Sequence, residues 1–522
     1  MKWKVMGEGE NIIELLLKNR GIKDKDNFLN PPPPKSPLKI PVKAIKRVEL
    51  AVKNQEPVIV YGDYDVDGIC ATAIVWETLN KMGAKVLPFI PRRENEGYGL
   101  SIAGIDNIDT QTKLIITVDS GIVAHEAVAY AKKKGIDVII LDHHEKPKAL
   151  PKAYAIIHTD KLCAAGIAYF FSCVIASEAR QSLLELAAIA TVCDMMPLTG
   201  VNRSIVKHGL KSLNETNRPG LKALYDVAGI KTVGVYEIGY MIGPRLNAAG
   251  RIDSALTALR LLCTKDIAKA QEWARQLNDI NKERQAMVEE SVTHAHQAVS
   301  SQQLAVREKI IVIEHESYHP GIIGLIAGKL TEKYYLPSIV ISKKDGVSRA
   351  SARSISGFNI IEAIRTTEKL LINAGGHPAA AGFTIETTNI SDFKLQIIEY
   401  AKLKLTDNLL EKTLRVDCKI DIKNVNHSLF TALCTLEPYG MGNPQPVFCS
   451  EVTVLNTRTM GAIGQHIKLT LENGLEAVGF NMSHFAAKLK AGQKVSLAYT
   501  LDLNFYNGKT TLQLKIKDII FH

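Results

Sequence analysis

Residues 58–67, VIVYGDYDVD, set four apolar residues directly before a glycine and then three aspartates on alternate positions, Asp63, Asp65 and Asp67. A short apolar run of this kind, closed by a turn residue, is the pattern of a strand buried on both faces. The pattern returns downstream. LIITVDS (114–120) ends in Asp119, and DVIILDHH (137–144) ends in Asp142, His143 and His144. KVLPFI (85–90) supplies a further strand, and helical stretches over 71–82 and 125–134 fall between. Strands alternating with helices of that length predict an α/β domain on a mostly parallel, doubly wound sheet.

In such sheets ligands bind beyond the carboxyl ends of the strands, so polar groups delivered there converge. Asp63, Asp65, Asp67, Asp119, Asp142, His143 and His144 all follow strands, and Asp194 follows the apolar segment AIATVC (188–193). One aspartate in such a place is ordinarily a helix N-cap. Four converging segments are poorly explained that way. Clustered carboxylates repel unless cations lie among them, and an oxygen-rich set with one or two imidazoles suits Mn²⁺ or Mg²⁺ better than thiol-seeking metals. Two ions about 3.5–4 Å apart fit in-line attack on a phosphodiester, so metal-assisted phosphoester hydrolysis is the predicted chemistry. The segment DYDVDG also opens like an EF-hand loop, but position 12 would be Ile74 where a bidentate glutamate is needed, and a strand precedes it. A dinucleotide fold fails too, since no G-x-G-x-x-G follows the first strand.

The remaining chain is long enough for several cores, because 522 residues exceed the single-domain range. Residues 1–30 read as one amphipathic helix and a turn, and Pro31–Pro34 must be extended, which suggests a strap on the first domain. A helical zone over about 164–300 ends in a stretch of strong helix formers without proline or glycine. A second α/β unit begins near Glu308 (KIIVIEHE, then SIVIS). From about residue 406 short strands and turns predict a small all-β barrel or sandwich. The apolar runs are too short for a membrane span and no secretory signal is evident, so a cytoplasmic protein without membrane association is expected. The eight cysteines form no C-x-x-C pair and read as reduced, buried thiols. With 64 basic against 54 acidic residues the net charge is +10, which permits a polyanionic partner without requiring one.

DYDVDG, TVDSG, LDHH and TVCDMMPL, in that order, resemble the four motifs of the DHH phosphoesterase superfamily. GPRLNAAGRID (243–253), HPGIIGLIAGKL (319–330), SARSISGFNI (351–360), NAGGHPAAAGFTI (373–385) and LEPYGMGNPQPVF (436–448) resemble its RecJ branch, the single-strand-specific 5′→3′ DNA exonucleases. The resemblance covers nearly the whole chain. It implies an N-terminal strap (1–50), a DHH catalytic domain on a parallel sheet (51–265), a connecting helix (266–303), a second α/β, DHH-associated domain (304–405) and an OB-like β-barrel that binds nucleic acid (406–522).

By similarity, Asp119 bridges two Mn²⁺ or Mg²⁺ ions. Asp67, His143 and Asp194 complete one site, Asp65 and Asp63 serve the other, His144 meets the scissile phosphate or the leaving group, and Asp142 orients an imidazole. Ser351, Arg353 and the turn Gly375-Gly376-His377 are implied to anchor a terminal nucleotide, with Arg245 and Asn247 facing the same cleft. Arg93 and Tyr98 pair a cation with an aromatic ring able to stack on a base. The implied substrate is single-stranded DNA and the implied act is release of 5′ mononucleotides in repair and recombination. A helicase and a single-strand-binding protein are candidate partners, and a monomer is expected. The chain departs from the family in a short segment between His144 and Asp194, in the reduced element Ala165–Tyr169, and in Ala350 where glycine is common before Ser351.

Overall fold

The computed structural model describes the chain except residues 10, 92–98, 177–179, 253, 302–307 and 507. The first domain is built on five parallel strands in the order Val86–Phe89, Val58–Tyr61, Leu114–Val118, Asp137–Asp142, Ala155–His158. Alternation along each strand covers both faces. Val58, Val60, Ile116, Val118 and Leu141 pack with helices Val66–Lys81 and Ala164–Ile175, while Ile59, Tyr61, Ile115, Val138 and Ile140 pack with helix His125–Lys133. With neither face wet, the strands read as unbroken apolar runs.

The chain leaves Val58–Tyr61 for one edge of the sheet and then crosses back to Leu114–Val118 on the other side. The carboxyl ends of these two strands therefore flank the crevice where the order reverses. Helix Val66–Lys81 starts in that crevice. Asp65 caps it by accepting from the Gly68 N–H at 3.0 Å, and position 68 must be glycine because a Cβ there would lie 2.6 Å from the Asp63 carbonyl oxygen. Farther along the same helix, Glu77 receives Arg218 through two hydrogen bonds, one of 2.8 Å, with Glu185 at 3.3 Å from the same guanidinium. The helix that presents Asp65 and Asp67 is thus pinned at both ends.

Helix Ile267–Ser301 runs 35 residues, about 50 Å. It packs on the first domain through Ala270, Ala274 and Leu277 and on the second through Ala295 and Val299. The second domain has a mixed five-stranded sheet in the order Leu371–His377, Ala380–Glu386, Val347–Arg353, Ser338–Ser342, Ile311–His315, of which only the last two pair in parallel. In the C-terminal domain, Phe448–Met460 pairs with both His466–Leu471 and Gln493–Tyr506. Through Glu476–Gly479 and Lys509–Phe521 the pairings run round in a circuit, the arrangement of an OB-type barrel.

The N-terminal segment differs from the expected strap. Two helices form, Ile12–Asn19 and Lys25–Leu29, separated by Gly21 in the left-handed region (φ 68) and restarted by Asp24, which accepts from the Asn27 N–H. Strand Lys2–Val5 pairs with Thr413–Val416, and Leu16, Leu17 and Phe28 enter the core of the barrel. The proline run does lie on the first domain, where His208 Nε2 meets the Pro31 carbonyl at 2.9 Å. The first of the two helices has one apolar stripe, and its Leu16 and Leu17 are buried against the barrel. Helix Val42–Lys53, at the strap boundary, packs in the first domain through Ala44, Val48 and Ala51.

Candidate metal centre

Six of the expected ligands meet in the crevice. One carboxylate or imidazole atom from each of Asp67, His143 and Asp194 lies within 4.8 Å of the others, and the same holds for Asp63, Asp65 and Asp119 and for Asp119, His143 and His144. Asp119 is common to the second and third groups and His143 to the first and third, so the clusters form one continuous donor set. His143 Nε2 is 3.1 Å from Asp119 Oδ1 and 3.7 Å from Asp67 Oδ2, and its Nδ1 is 3.8 Å from Asp194 Oδ2.

Asp67 and His144 are held from behind. Asp67 is buried and accepts from the Ala164 and Ala165 N–H groups at 2.6 and 2.8 Å, the start of helix Ala164–Ile175. Asp119 is 2% exposed and sits with φ 61, a left-handed conformation that aspartate tolerates better than most residues and that is often found where a site holds strain. Asp142 Oδ1 accepts from the N–H groups of His143 and His144 and meets His144 Nδ1 at 2.8 Å, while Oδ2 accepts from the Ile122 N–H at 2.9 Å. Asp142 thus orients both histidines and stays out of the donor set.

Burial and mutual repulsion leave this cluster short of positive charge. Burial first, and then the Asp65 charge, push the Asp67 carboxyl up to about 7. Burial followed by Asp67 and Asp65 push Asp194 to about 8, and the same causes hold Asp119 well above the ordinary carboxylate range. Burial, then His144, pushes His143 down to about 4, so it is a neutral imidazole with a lone pair to donate. His144 goes the other way. Burial opposes its charge, but the bond to Asp142 prevails and raises its pKa, while Asp142 itself is lowered against its burial by His144. Oxygen donors with one neutral imidazole, all starved of cation, fit hard divalent ions.

A sign follows for the metal-free protein. The folded values of Asp67 and Asp194 lie above that of an unfolded carboxylate near 4, so the native state holds protons that the unfolded chain has released. That stability is complete below pH ~4 and is lost as pH rises through about 7 and 8. Calorimetry of the chelated protein is expected to give a lower unfolding temperature above pH ~8 than near pH ~6, and Mn²⁺ is expected to reverse the fall while releasing protons. An unfolding temperature flat across that window would contradict the assignment.

The second domain reaches the same crevice by a chain of contacts. Helix Gly243–Ile252 packs so closely on the aspartate loop that a Cβ at Gly250 would lie 2.3 Å from the Tyr64 carbonyl, and Asn247 accepts from the Val66 N–H at 3.0 Å. Arg251 then donates to the Gly321 carbonyl at 3.0 Å, just before helix Ile323–Tyr334. Ser351 Oγ and Arg353 lie beside the start of that helix, where a Cβ at Gly324 would be 3.0 Å from each. Arg353 Nη1 donates to Ser351 Oγ at 3.2 Å. Register places Gly375, Gly382 and Ser351 in one row across three strands, and His377, Ala380 and Arg353 in another. Gly376 has φ 144 and no room for a side chain, its Cβ position being 2.5 Å from Ala381 Cα.

Two expected cleft residues also make structural contacts. Asn247 ties down the aspartate loop, and Arg245 joins its own helix to the long connecting helix through Asn278 Oδ1 at 3.1 Å and the Met241 carbonyl at 2.8 Å. His319 accepts from the Gly321 N–H at 3.1 Å and shapes the turn. Arg93 and Tyr98 lie outside the described residues. Sequence reasoning missed His158, whose Nε2 meets the His144 carbonyl at 2.6 Å. The signal was there, since AIIH (155–158) is another apolar run ending in a polar residue.

Comparison with known proteins agrees with this geometry. Residues 57–191 match the DHH family N-terminal domain and 307–403 the DHHA1 domain, which define a DHH phosphoesterase. Residues 416–518 match the RecJ OB domain. The chain is 36% identical to the single-stranded-DNA-specific exonuclease RecJ of Bacillus subtilis, over 91% of this chain and 62% of the relative. It is 31% identical to the protein of that name in Thermus thermophilus, over 96% of this chain and 74% of the relative. The crystal structure of RecJ in complex with Mn²⁺ from Thermus thermophilus superimposes with a TM-score of 0.88 at 28% identity, covering 99% of this chain and 79% of that one. The chain belongs to the RecJ family. It spans just under two thirds of the Bacillus subtilis relative and about three quarters of the Thermus thermophilus one.

Proposed function

We propose that the chain is a metal-dependent exonuclease that hydrolyses single-stranded DNA from the 5′ end to 5′ mononucleotides, in repair and recombination. The observation that carries this reading is the donor set shared through Asp119 and His143, with Ser351 and Arg353 on the domain opposite. Asp63, Asp65, Asp67, Asp119, His143 and Asp194 would hold two Mn²⁺ or Mg²⁺ ions, as the Thermus thermophilus relative holds Mn²⁺. Bound there, the ions would supply an activated water and charge neutralisation for in-line displacement.

The chain's own groups do the rest. Asp142 holds His144 Nδ1, so the ring acts on substrate through Nε2, and its raised pKa keeps a proton available for the departing oxygen. The Ser351 hydroxyl and the forked Arg353 guanidinium suit a terminal phosphate, which would set the scissile bond one nucleotide inward. Among the described residues no helix is long and apolar enough to cross a membrane. A helicase and a single-strand-binding protein are the proposed partners of a monomeric, cytoplasmic enzyme.

His144→Ala is expected to lower kcat about 10²- to 10⁴-fold, the usual worth of a positioned acid or base, with Mn²⁺ affinity nearly retained. Turnover of 5′-phosphorylated oligonucleotide alongside calorimetric Mn²⁺ titration separates the two effects. Equal loss of both would make His144 a ligand and not the proton donor. End-labelled DNA and RNA strands, labelled at either end, test polarity and sugar preference together. Release of labelled mononucleotide first from 3′-labelled strands would overturn the 5′→3′ reading.

A further inference from the structure

A cavity of about 1110 Å³ is lined by Cys193 and Met195, the chain neighbours of Asp194. Its walls come from the first domain, the connecting helix, the second domain and the barrel. The catalytic domain supplies Met195, Tyr236 and Tyr240, the connecting helix Arg284, the second domain Leu325, and the barrel the loop around Tyr439.

Two features of the lining call for a ligand. Tyr236 and Tyr240 are 63% and 70% exposed, yet their rings stack on each other at 4.9 Å and 27°. They lie four residues apart where helix Val235–Glu237 passes into the π turn Ile238–Ile242, an irregularity that recurs at functional sites. A preassembled, solvent-facing aromatic pair offers a flat face at little entropic cost. The second feature is Arg284. Its Nε is buried and has no hydrogen-bond partner among the described residues, although an unpaired guanidinium N–H away from water is costly. A flat apolar platform and a waiting cation in one cavity match the two halves of a nucleotide, base and phosphate.

We infer that this cavity is a nucleotide subsite in which the Tyr236–Tyr240 pair carries a base of the strand and Arg284 takes a backbone phosphate next to it. The inference rests on the reading of the chain as a nuclease acting on single strands. The cavity is walled by Cys193 and Met195, which flank Asp194, and in this inference it takes nucleotides beyond the scissile bond. It would give the enzyme affinity for a strand over a free dinucleotide, and without base identity, because every base has a face to stack.

Oligothymidylates carrying one 2-aminopurine at successive positions, titrated with the full chain in chelator so that no strand is cut, provide the probe. Quenching is expected at one or two positions inward from the 5′ end. The double variant Tyr236→Ala, Tyr240→Ala is expected to lose that quenching and to raise Kd about 10- to 100-fold, the range for removing base–aromatic stacking. Tyr236→Phe with Tyr240→Phe is expected to restore both, since the ring face and not the hydroxyl does the binding. Arg284→Gln is expected to lower the salt dependence of binding by about one counterion. Both tyrosines are exposed, so a thermal melt matching the wild type will show that the alanine variant folds. Wild-type affinity and quenching in the folded alanine variant would overturn the subsite. If the wild type binds with quenching but cuts no strand after Mn²⁺ is added, the exonuclease reading fails and the subsite stands.

Discussion

Asp119→Asn is expected to reduce Mn²⁺-dependent hydrolysis of single-stranded DNA by more than ~10³-fold, beyond the cost of losing a single transition-state donor, because this carboxylate belongs to two of the three donor groups. Asparagine is the informative substitution. It keeps the volume and, like aspartate, accepts the left-handed backbone (φ 61) that alanine would strain. The same change has an opposite effect on stability. Asp119 is buried, and burial first, then Asp67, Asp65, Asp63 and Asp194, disfavour its ionised form, so an amide that cannot ionise escapes that penalty. The chelated variant is therefore expected to melt at or above the chelated wild type near pH ~8, while Mn²⁺ raises its unfolding temperature far less than it raises that of the wild type. Activity within about tenfold of wild type would rule out Asp119 as the shared ligand. A lower melting temperature for the chelated variant would instead make it a structural residue.

The parts legible in the sequence are those where local pattern and tertiary role coincide. Val58–Tyr61, Leu114–Val118 and Asp137–Asp142 are buried on both faces, so their apolar runs name them as parallel strands, and the polar residue after each falls at the crevice by topology alone. His158 obeys the same rule as the last residue of strand Ala155–His158, where only three apolar residues precede it. The family resemblance placed Asn247 in the cleft, and it lines the cavity there, but its bond from the Val66 N–H, a partner 181 residues away, is one that no local pattern announces. The first helix of the strap joins the barrel for a similar reason, although the proline run lies on the first domain. Its apolar stripe predicts burial against something, but the choice between the first domain and the barrel depends on which surface is left uncovered after both have folded. Tyr236 and Tyr240 carried no signal at all, because a helical i, i+4 aromatic pair is ordinarily packing, and only the fold leaves this one facing open space.

Arg203→Met is expected to destabilise the chain by roughly 3–5 kcal/mol, the scale of leaving buried partners uncompensated. Arg203 belongs to helix Gly200–Asn214 of the catalytic domain and is 1% exposed. Its guanidinium donates to four carbonyls on two other segments, Phe28 of the N-terminal region at 2.5 Å and Leu436, Glu437 and Pro438 of the barrel at 3.0, 2.7 and 3.3 Å, and it stands 3.9 Å over the Phe28 ring. Burial lowers its pKa to about 10, which still leaves it charged at neutral pH. A planar fork can serve carbonyls in several directions, whereas an ammonium on a flexible stem cannot, so Arg203→Lys is expected to recover little. Neighbouring bonds hold the rest of the loop, Arg20 reaching Asn443 Oδ1 at 3.0 Å and the Leu198 N–H the Met441 carbonyl at 2.7 Å. Loss of Arg203 therefore loosens the loop that walls the cavity lined by Cys193 and Met195, without touching a metal ligand. Hydrogen exchange is expected to rise across 436–441 and the KM for long strands to increase, while Mn²⁺ affinity holds. Unchanged protection of that loop in a variant that melts early would make Arg203 a contributor to general stability and not the latch between catalytic domain and barrel.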